Sequence, residues 1–582
     1  MSESIPIHRR FPPLAAALRS VWAEGYGRKD ARADLLAGLA VGIIAVPLSL
    51  ALAIASGVPP QHGLYTAIIA GALIALAGGS RFNVSGPTAA FVVILHPIAV
   101  EHGLGGLLLA GLMAGLMQIA FAWGRLGRLI SFIPYPVTTG FTAGIAVVIA
   151  SLQLKDYFGL HLSESPEHFI ERLQALAAAV PTLSLHEALL ASATLAVLLI
   201  WPRLKIAVPA YLVAAVFAGV AAWMIERYGP GIDITPIADR FQYELDGQLH
   251  AGIPPLLPHW RWPWDLPGRD GAPLVLSLDL IRALIGPAFA IAILGAIESL
   301  LCAVIADGMT GKKHDPDGEL VAQGLGNLLV PLLGGIPATG ALARTAASIR
   351  AGARSPLASF THAIFVLAAM LTLAPLLSWL PMCGLAALLL VVAWNMSERH
   401  HFIRILRVAP RGDVLLLLTC FGLTVLFDMV MAITAGVVLA SLFFMHRMSK
   451  LSRVDLISEG HPRAPQGLPK DVRFYEIAGP LFFGAAERAM VTLRNHDRKA
   501  RALILDLSAV PTIDATGLVA LEGVIDDLKA AGIFVALCAL QPAVLQVLRD
   551  AGYRNAAGQL WYYASVDAAI QRLSKTGSSP GD

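Results

Sequence analysis

The chain has 582 residues, of which 56% are hydrophobic and 14% are charged, and its mean hydropathy is +0.67. Soluble domains carry about 25% charged residues, so this composition argues against a soluble enzyme domain, a secreted disulfide scaffold and a disordered protein. The formal net charge is only +3 and no block of like charges occurs, which argues against a nucleic-acid partner.

Residues 1–34 are polar and basic, and they lack the apolar run and small-residue cleavage site of a signal peptide. We therefore expect this N-terminal segment to stay in the cytoplasm. From 35 to 447, apolar stretches are separated by Gly, Pro and short charged loops, and each crossing of a bilayer takes about 20 apolar residues. Twelve stretches reach or approach that length: 35–56, 63–79, 104–123, 136–152, 187–201, 208–225, 277–305, 319–334, 357–377, 383–395, 413–427 and 430–446.

Two further apolar segments, 83–98 and 336–352, are too short or too interrupted to be ordinary spans. Counting them gives fourteen membrane segments. With the N-terminus inside, the even-numbered connections should be cytoplasmic and rich in Lys and Arg. The short loops of the opposite side hold few basic residues, and its long loop, 226–276, offsets four arginines with a larger number of acidic residues. The even-numbered connections do carry basic residues, namely Arg125, Arg128, Arg203, Lys205, Lys312, Lys313, Arg350, Arg354, Arg399, Arg404, Arg407 and Arg411. The segment count and the orientation therefore support each other.

The character of the sequence changes after Arg447. Residues 448–470 are polar with scattered Pro and Gly, which predicts a linker. From 471 to 575, short β-like runs alternate with helix-like runs, including a predicted helix at 485–496, and a polar tail follows at 576–582. This pattern is typical of a small α/β domain. Its charge is ordinary for a soluble domain, so we expect it to lie in the cytoplasm.

The two short membrane segments are the third and the tenth, so they are counterparts if the membrane part repeats as seven plus seven segments. An odd repeat length inverts the second copy, and two half-helices would then start near the midplane with their N-termini facing each other. Helix N-termini carry unpaired N–H groups and about half a positive charge, which favours an anion. The alternative is that both segments are merely kinked helices packed by small residues.

Two ionisable residues fall at membrane depth, where a charge costs at least about 2.5–3.5 kcal/mol on insertion scales and usually marks a transport route. Glu298 lies deep in the eighth segment, and Arg344 lies one helical turn past Gly340. Arg344 would supply positive charge beside an anion. A buried Glu298 would favour its protonated form and could carry a proton. The alternative is a structural ion pair between these two residues.

Several motifs resemble those of the SulP, or solute carrier family 26, anion transporters: GVPPQHGLYTAIIAG at 57–71, GGSRFNVSGPTAAF at 78–91 and LGAIESLLCA at 294–303, followed by DGMTGKKH. LILDLSAVPTIDATGL at 503–518 resembles the STAS domain that follows their membrane part. The resemblance implies a polytopic α-helical membrane protein with fourteen segments in a 7+7 inverted repeat, core and gate domains, and a cytoplasmic α/β STAS domain. It also implies an elevator-type movement and a homodimer in the bacterial inner membrane.

On this resemblance, the family's substrate-binding positions map onto the two half-helices, and its acidic position maps onto Glu298 with a proton-coupling role. The substrate-binding positions are Ser85, Gly86, Pro87, Thr88, Gly340, Ala341 and Arg344. Members that resemble sodium-coupled bicarbonate carriers have Asp, Thr and Thr where this chain has Glu298, Cys302 and Leu342. The residues of their sodium site are therefore replaced in this chain. Many sulfate carriers have Gln where Leu48 stands here, which weakens a sulfate interpretation.

The stretches AVPLSLALAIASGVPPQHGLYTA at 45–67 and AWNMSE at 393–398 look most like the proton-coupled C4-dicarboxylate branch. The resulting prediction is proton-coupled uptake of succinate, fumarate or aspartate. Bicarbonate or sulfate transport by the same family is the alternative, and a membrane-anchored STAS signalling scaffold is a distant one. The expected partners are the small anion, protons and membrane lipid. We expect no cofactor, no metal and no catalytic residue.

The STAS resemblance departs at one position. Anti-sigma-factor antagonists of this fold carry a phosphorylatable serine directly after the aspartate, and here Ala515 follows Asp514. Phosphorylation at that first position is therefore excluded. We expect Thr516 to cap the helix that starts there. A cytoplasmic regulatory partner at the STAS domain stays open.

Overall fold

The computed structural model describes residues 13–127, 134–162, 166, 168–204, 206, 208–228, 232–245, 247–427, 429–451, 453–457, 465–466, 468–482, 500–556 and 559–575. The chain forms two compact units, Met1–Val437 and Val438–Asp582. Within the described residues, nine helices are long and apolar enough to cross a membrane, and Gln61–Ala77 is a shorter apolar helix.

The first half of the membrane unit contains one break that matters for the site. Its described elements are α1 (Ala16–Glu24), α2 (Arg28–Ala55), α3 (Gln61–Ala77), β1 (Ser85–Gly86), α4 (Ala89–Trp123), α5 (Tyr135–Tyr157), α6 (Phe169–Ala178), α7 (Leu185–Ile200) and α8 (Ala210–Tyr228). Within α4, Gly103 has a φ of 69° and a ψ of −174°, which are not helical. A Cβ there would lie 2.4 Å from the carbonyl carbon of Gly268, so only glycine fits. This break separates the third predicted segment from the fourth.

The second half begins with a short helix and a hairpin and then follows the order of the first. Its described elements are α9 (Ile237–Arg240), β2 (Gln242–Leu245), β3 (Gln248–Ala251), α10 (Leu278–Thr310), α11 (Pro316–Leu332), β4 (Thr339–Gly340), α12 (Leu342–Arg350), α13 (Leu357–Leu377), α14 (Met382–Met396), α15 (Arg399–Val408), α16 (Arg411–Leu426) and α17 (Met429–Leu451). Each of the fourteen predicted membrane segments coincides with helix in this order. The third and the tenth are preceded by β1 and β4, respectively.

The helix contacts repeat when each segment is exchanged with the one seven places away. The first segment, α2, packs against the eleventh, α13, and the eighth, α10, packs against the fourth, the second part of α4. Likewise the second segment, α3, packs against the eleventh, α13, while the ninth, α11, packs against the fourth, in α4. The fifth segment, α5, packs against the thirteenth, α16, while the twelfth, α14, packs against the sixth, α7. This pairing fits the predicted inverted repeat of seven plus seven segments.

Asp34 on α2 fastens the first segment to the start of the eleventh. Its carboxylate is 1% exposed and accepts hydrogen bonds from the Tyr26 hydroxyl at 2.8 Å and from the backbone N–H groups of Arg354 and Ser355 at 2.6 and 3.1 Å. The Ser355 hydroxyl also donates to it. A buried carboxylate is costly unless it is hydrogen-bonded in this way, so Asp34 fixes the loop that leads into α13.

Glu24, the last residue of α1, is held by two cations from other segments. Its carboxylate accepts hydrogen bonds from Arg81 Nη1 at 2.8 Å and from Lys312 Nζ at 3.1 Å. The hydrogen bonds from Arg81 and Lys312 favour the charged carboxylate and lower the pKa of Glu24 from 4.5 to about 2. Because the folded pKa is depressed, the interaction stabilises the fold above pH 4.5 and is lost as the pH falls through about 2.

Replacing Glu24 with glutamine should therefore flatten the acid dependence of stability between these two pH values. Because the carboxylate is exposed and screened, the expected loss of Tm at pH 7 is only about 1 °C. The measurement is the Tm of detergent-purified protein from pH 7 to pH 2.5. The control is Glu226→Gln, which replaces an exposed carboxylate that makes no ion pair among the described residues. An unchanged acid dependence in Glu24→Gln would contradict this account.

The second unit contains a five-stranded sheet. Its described elements are β5 (Arg453–Ile457), β6 (Val472–Ala478), β7 (Ala502–Ala509), α18 (Ala515–Ala530), β8 (Phe534–Cys538), α19 (Pro542–Asp550), β9 (Leu560–Tyr563) and α20 (Val566–Lys575). The strand order is β5-β6-β7-β8-β9, with β5 antiparallel to β6 and the other neighbours parallel. Buried aliphatic side chains of β7 and β8 form the core, as the alternating pattern predicts for an α/β domain.

Two details of this unit differ from the sequence analysis. The strand β5 lies inside the segment predicted as a linker, 448–470, and it completes the sheet at one edge. Thr516 does not cap α18, because the cap is Asp514, whose carboxylate accepts from the Gly517 N–H at 2.7 Å. The cap prediction for Thr516 is therefore wrong. The helix predicted at 485–496 lies outside the described residues.

Candidate functional site

The two short membrane segments meet through their backbones. The strands β1 and β4 pair antiparallel, with Ser85 opposite Gly340 and Gly86 opposite Thr339. The pairing continues beyond the strands, since the Ala341 N–H donates to the carbonyl of Val84 at 2.9 Å. The helices α4 and α12 therefore start from one shared strand pair.

Neither half-helix has a side-chain cap. Thr88 precedes α4 and Ala341 precedes α12, both in extended backbone conformations, and neither side chain accepts a hydrogen bond from the first turn. The first backbone N–H groups of a helix have no partner within the helix. Two uncapped N-termini at one place therefore offer donors and partial positive charge to an anion.

Arg344, in the first turn of α12, lies at this junction. Its side chain is 2% exposed, and Nη2 donates to the carbonyl oxygen of Pro87 across the strand pair. Its Nε and Nη1 make no hydrogen bond, and no carboxylate pairs with it among the described residues. A buried cation without a counter-charge is costly. An oxyanion would supply the missing charge and accept from two donors of the guanidinium plane.

Glu298 on α10 lies beside the other half-helix. It is half-buried, and its Oε2 accepts a hydrogen bond from Thr88 Oγ1 at 3.1 Å. It makes no ion pair with Arg344 in the part of the chain that the structure describes. The alternative of a structural Glu298–Arg344 pair is therefore not the arrangement observed. The hydroxyl of Thr88 instead links the acid to the start of α4.

The strand pair is anchored to α10 by hydroxyl groups. Ser299 Oγ lies 2.8 Å from Thr339 Oγ1 and accepts from the Gly340 N–H at 3.0 Å. Thr339 Oγ1 also donates to the carbonyl of Gly295 at 3.0 Å. Because Glu298 and Ser299 are neighbours on α10, the acid keeps a fixed position relative to β4.

Ser85 is placed differently from the other predicted binding residues. Its Oγ accepts a hydrogen bond from Gln323 Nε2 of α11 at 2.9 Å, so its side chain positions β1. Cys302 and Leu342 stand where the family resemblance expects threonines. Cys302 donates through its thiol to Thr345 Oγ1 at 3.1 Å, and Leu342 is 40% exposed. Neither side chain supplies a hydroxyl oxygen for a sodium ion.

Glu319 on α11 is a buried acid that the sequence analysis missed. It is 1% exposed, and its Oε2 accepts from the N–H groups of Gly79 and Ser80 at 3.0 and 2.9 Å. Its Oε1 accepts from Asn83 Nδ2 at 2.7 Å. These three donors hold the loop that leads into β1. The only sequence signal was an acidic residue beside the polar pair Gln323 and Asn327 on one helix.

Gly86 leaves the space that the Arg344 guanidinium occupies. A Cβ at this position would lie 2.5 Å from Arg344 Nη1, closer than non-bonded atoms approach. Gly86→Ala should therefore displace the guanidinium and weaken anion binding about tenfold with little loss of Tm. Isothermal titration of the purified protein with the transported anion measures the change. Gly422→Ala on α16 is the matched control, because a Cβ there meets no atom of the described residues within 4 Å. Equal affinities for both variants would contradict this role of Gly86.

Comparisons with known sequences agree with the division of the chain into two units. The profile described as "Sulfate permease family" matches residues 32–419, and the profile described as "STAS domain" matches residues 468–569. The chain is 38% identical over 545 residues to "Putative sulfate transporter YvdB" of Bacillus subtilis, covering 94% of this chain and 98% of that protein. It is 31% identical over 529 residues to "Bicarbonate transporter BicA" of a Synechocystis species, covering 87% of each.

Two solved structures of transporters superpose on the chain. "The overall structure of SLC26A9" matches with a TM-score of 0.81 at 18% identity, covering 99% of this chain and 98% of that one. "The transmembrane domain of a cyanobacterium bicarbonate transporter BicA" matches with a TM-score of 0.60 at 29% identity, covering 70% of this chain and 98% of that one. The first likeness shows the fold, with a helical membrane region and a STAS domain.

Proposed function

We propose that this chain, which belongs to the sulfate permease family (also called SulP or solute carrier family 26), imports C4-dicarboxylates together with protons. Membership makes the chain a multi-pass membrane protein and a secondary anion transporter with a STAS domain. The substrate, the coupling ion and the roles of individual residues are the proposal. The relatives reported above are described as a sulfate transporter and a bicarbonate transporter.

The observation that carries the proposal is the buried cation at the meeting point of two uncapped helix N-termini. Arg344 has no acidic partner among the described residues and leaves Nε and Nη1 without acceptors. A carboxylate accepts strong, charge-assisted hydrogen bonds from guanidinium N–H groups, and Nε and Nη1 each have one to donate. The backbone N–H groups after Thr88 and Ala341 would bind the same carboxylate from its other sides.

Three features favour dicarboxylates and protons over the alternatives. The first is the resemblance of the segments at 45–67 and 393–398 to the C4-dicarboxylate branch. Leu48 stands where many sulfate carriers have a polar Gln. The positions of Cys302 and Leu342 hold no hydroxyl for sodium, whereas Glu298 is placed next to Thr88 and can take up a proton.

In the proposed cycle, the anion binds between the half-helices and Glu298 binds a proton. The two bound charges then partly cancel, which lowers the cost of moving the loaded site through the low-dielectric part of the membrane. The family resemblance adds the expectation that the core carries this site past the gate in an elevator-type step. It also adds a homodimer in a bacterial inner membrane, with the N-terminus and STAS domain in the cytoplasm.

The test is uptake of radiolabelled succinate into proteoliposomes, with and without an inward proton gradient, with sulfate and bicarbonate as competitors. Accumulation of succinate above the external concentration only with the gradient is the expected result. Accumulation that follows a sodium gradient instead would refute proton coupling. Transport of sulfate or bicarbonate without transport of succinate would refute the dicarboxylate assignment and favour the anions named for the relatives.

The distant alternative is a signalling scaffold whose function resides in the STAS domain. A chain that ends after Leu451, where α17 ends, separates the two ideas. We expect the shortened protein to bind succinate within about threefold of the full-length affinity, because all site residues lie between 85 and 344. Binding measured by thermal stabilisation against a ligand series checks this. Complete loss of binding by a correctly folded shortened protein would contradict the placement of the site.

A further inference from the structure

A short helix lies between two successive membrane spans. Helix α14 ends at Met396, α15 runs over Arg399–Val408, and α16 begins at Arg411. Ten helical residues extend only about 15 Å, half of the roughly 30 Å hydrocarbon core, so α15 does not itself cross the bilayer. It therefore lies near the boundary of the membrane, on the side that the basic loops predict to be cytoplasmic.

The two sides of α15 have different chemistry. Ile405 is buried, and Phe402 packs edge-on against Phe421 with ring centroids 5.4 Å apart, so these residues attach the helix to the membrane unit. Ile403 and Leu406, three residues apart and hence on one face, are 43% and 39% exposed. An apolar strip thus continues outward from the protein contact and has no covering residue in the described chain.

The polar side of α15 is basic. His400, Arg404 and Arg407 lie on one face by their spacing of four and three residues, and all three are exposed. At the start of the helix, Arg399 stacks over the ring of Trp394 at 4.6 Å from its centroid. The helix has no acidic residue, and none of its arginines forms an ion pair within the described residues.

We propose that α15 is a binding surface for anionic phospholipid headgroups, with Ile403 and Leu406 inserted at the edge of the acyl chains and Arg404 and Arg407 on the phosphates. A helix with adjoining basic and apolar faces at a membrane boundary suits this ligand, since it pairs the phosphate charge while covering the apolar strip. Trp394, 58% exposed beside Arg399, has the amphipathic character of residues at the headgroup level. Charge complementarity selects an anionic lipid over a zwitterionic one.

The surface reaches the transport unit directly. Besides the Phe402–Phe421 contact to α16, the ring of His401 lies against Tyr135 at the start of α5, with centroids 6.0 Å apart. Helices α5 and α16 pack on each other, and α5 also packs on α14. Bound lipid would therefore hold α5 and α16 at the membrane surface.

The experiment uses the full-length chain, delipidated in a neutral detergent and titrated with phosphatidylglycerol or phosphatidylcholine. Native mass spectrometry counts the retained lipids, and thermal unfolding gives the apparent affinity. We expect phosphatidylglycerol to bind at least tenfold more tightly than phosphatidylcholine. The double variant Arg404→Gln/Arg407→Gln should lose about tenfold of that affinity, and added salt should reduce the affinity of the unsubstituted protein.

The matched control is Arg404→Lys/Arg407→Lys, which keeps both charges and should retain affinity within about threefold. Succinate binding, or binding of whichever anion is transported, reports that each variant is folded. An equal phosphatidylglycerol affinity for the glutamine and lysine variants would overturn the proposal. A change in oligomeric mass on removing the charges, with lipid retention unchanged, would also overturn it and assign the surface to a second protein chain.

Discussion

Replacing Arg344 with glutamine is expected to weaken anion binding by at least about 100-fold and to abolish measurable transport. The guanidinium is 2% exposed, has no acidic partner among the described residues, and keeps two donors without acceptors. A hydrogen bond to a charged group contributes about 1.5–3 kcal/mol, so two lost bonds give a loss of two orders of magnitude or more. Titration calorimetry on the purified variant measures the affinity, and proteoliposome uptake measures the transport.

Two further variants make this result specific. Arg344→Lys keeps the charge but not the planar pair of donors, and we expect an affinity between those of the glutamine variant and the unsubstituted protein. Arg350→Gln removes an exposed arginine from the last turn of the same helix and should bind normally. If Arg344→Gln bound its anion as tightly as Arg350→Gln, the assignment of the buried cation to the substrate would be wrong.

Replacing Glu298 with glutamine is expected to abolish accumulation driven by a proton gradient while leaving anion binding and exchange partly intact. A glutamine amide can still accept the hydrogen bond that Thr88 donates at 3.1 Å, so the start of α4 keeps its contact with α10. Glutamine cannot gain or lose a proton, so the Glu298→Gln variant mimics a carrier whose proton site is permanently occupied. Uptake at several external pH values, beside counterflow without any gradient, separates the two properties.

The size of the effect should differ sharply between the two measurements. We expect gradient-driven accumulation to fall at least about 20-fold and counterflow to fall less than about fivefold. Glu298→Asp keeps an ionisable group at the end of a side chain one methylene shorter, and it should retain part of the coupling. An unchanged response of Glu298→Gln to a pH gradient would exclude this residue as the proton carrier.

The number and order of the membrane segments could be predicted because they depend on local properties of the sequence. Apolar length and the Gly and Pro interruptions at 83–98 and 336–352 are each visible within one segment. The odd repeat number then predicts that Thr88 and Ala341 start helices that face each other, and the strand pair of Ser85 with Gly340 agrees with this geometry.

Other contacts could not be predicted because they depend on backbone groups from distant parts of the chain. Asp34 and Glu319 look like ordinary charges at helix ends, yet each is buried and satisfied by N–H donors from another segment. Whether Glu298 pairs with Arg344 or with Thr88 depends on a rotation of α10 that residue spacing does not define. The strand β5 was missed because its five residues are surrounded by polar, Pro- and Gly-containing sequence, and its place in the sheet depends on pairing with β6.

The pairing of β1 with β4 also has a consequence for how the protein is made. Pro87 and Arg344, which meet at the junction, are 257 residues apart in the chain. During synthesis the first seven segments therefore enter the membrane with half of the binding site and without its buried cation. Closing so long a connection is slow, so the site should be among the last parts of the membrane unit to form. A chain interrupted before α12 would insert into the membrane yet have no anion site.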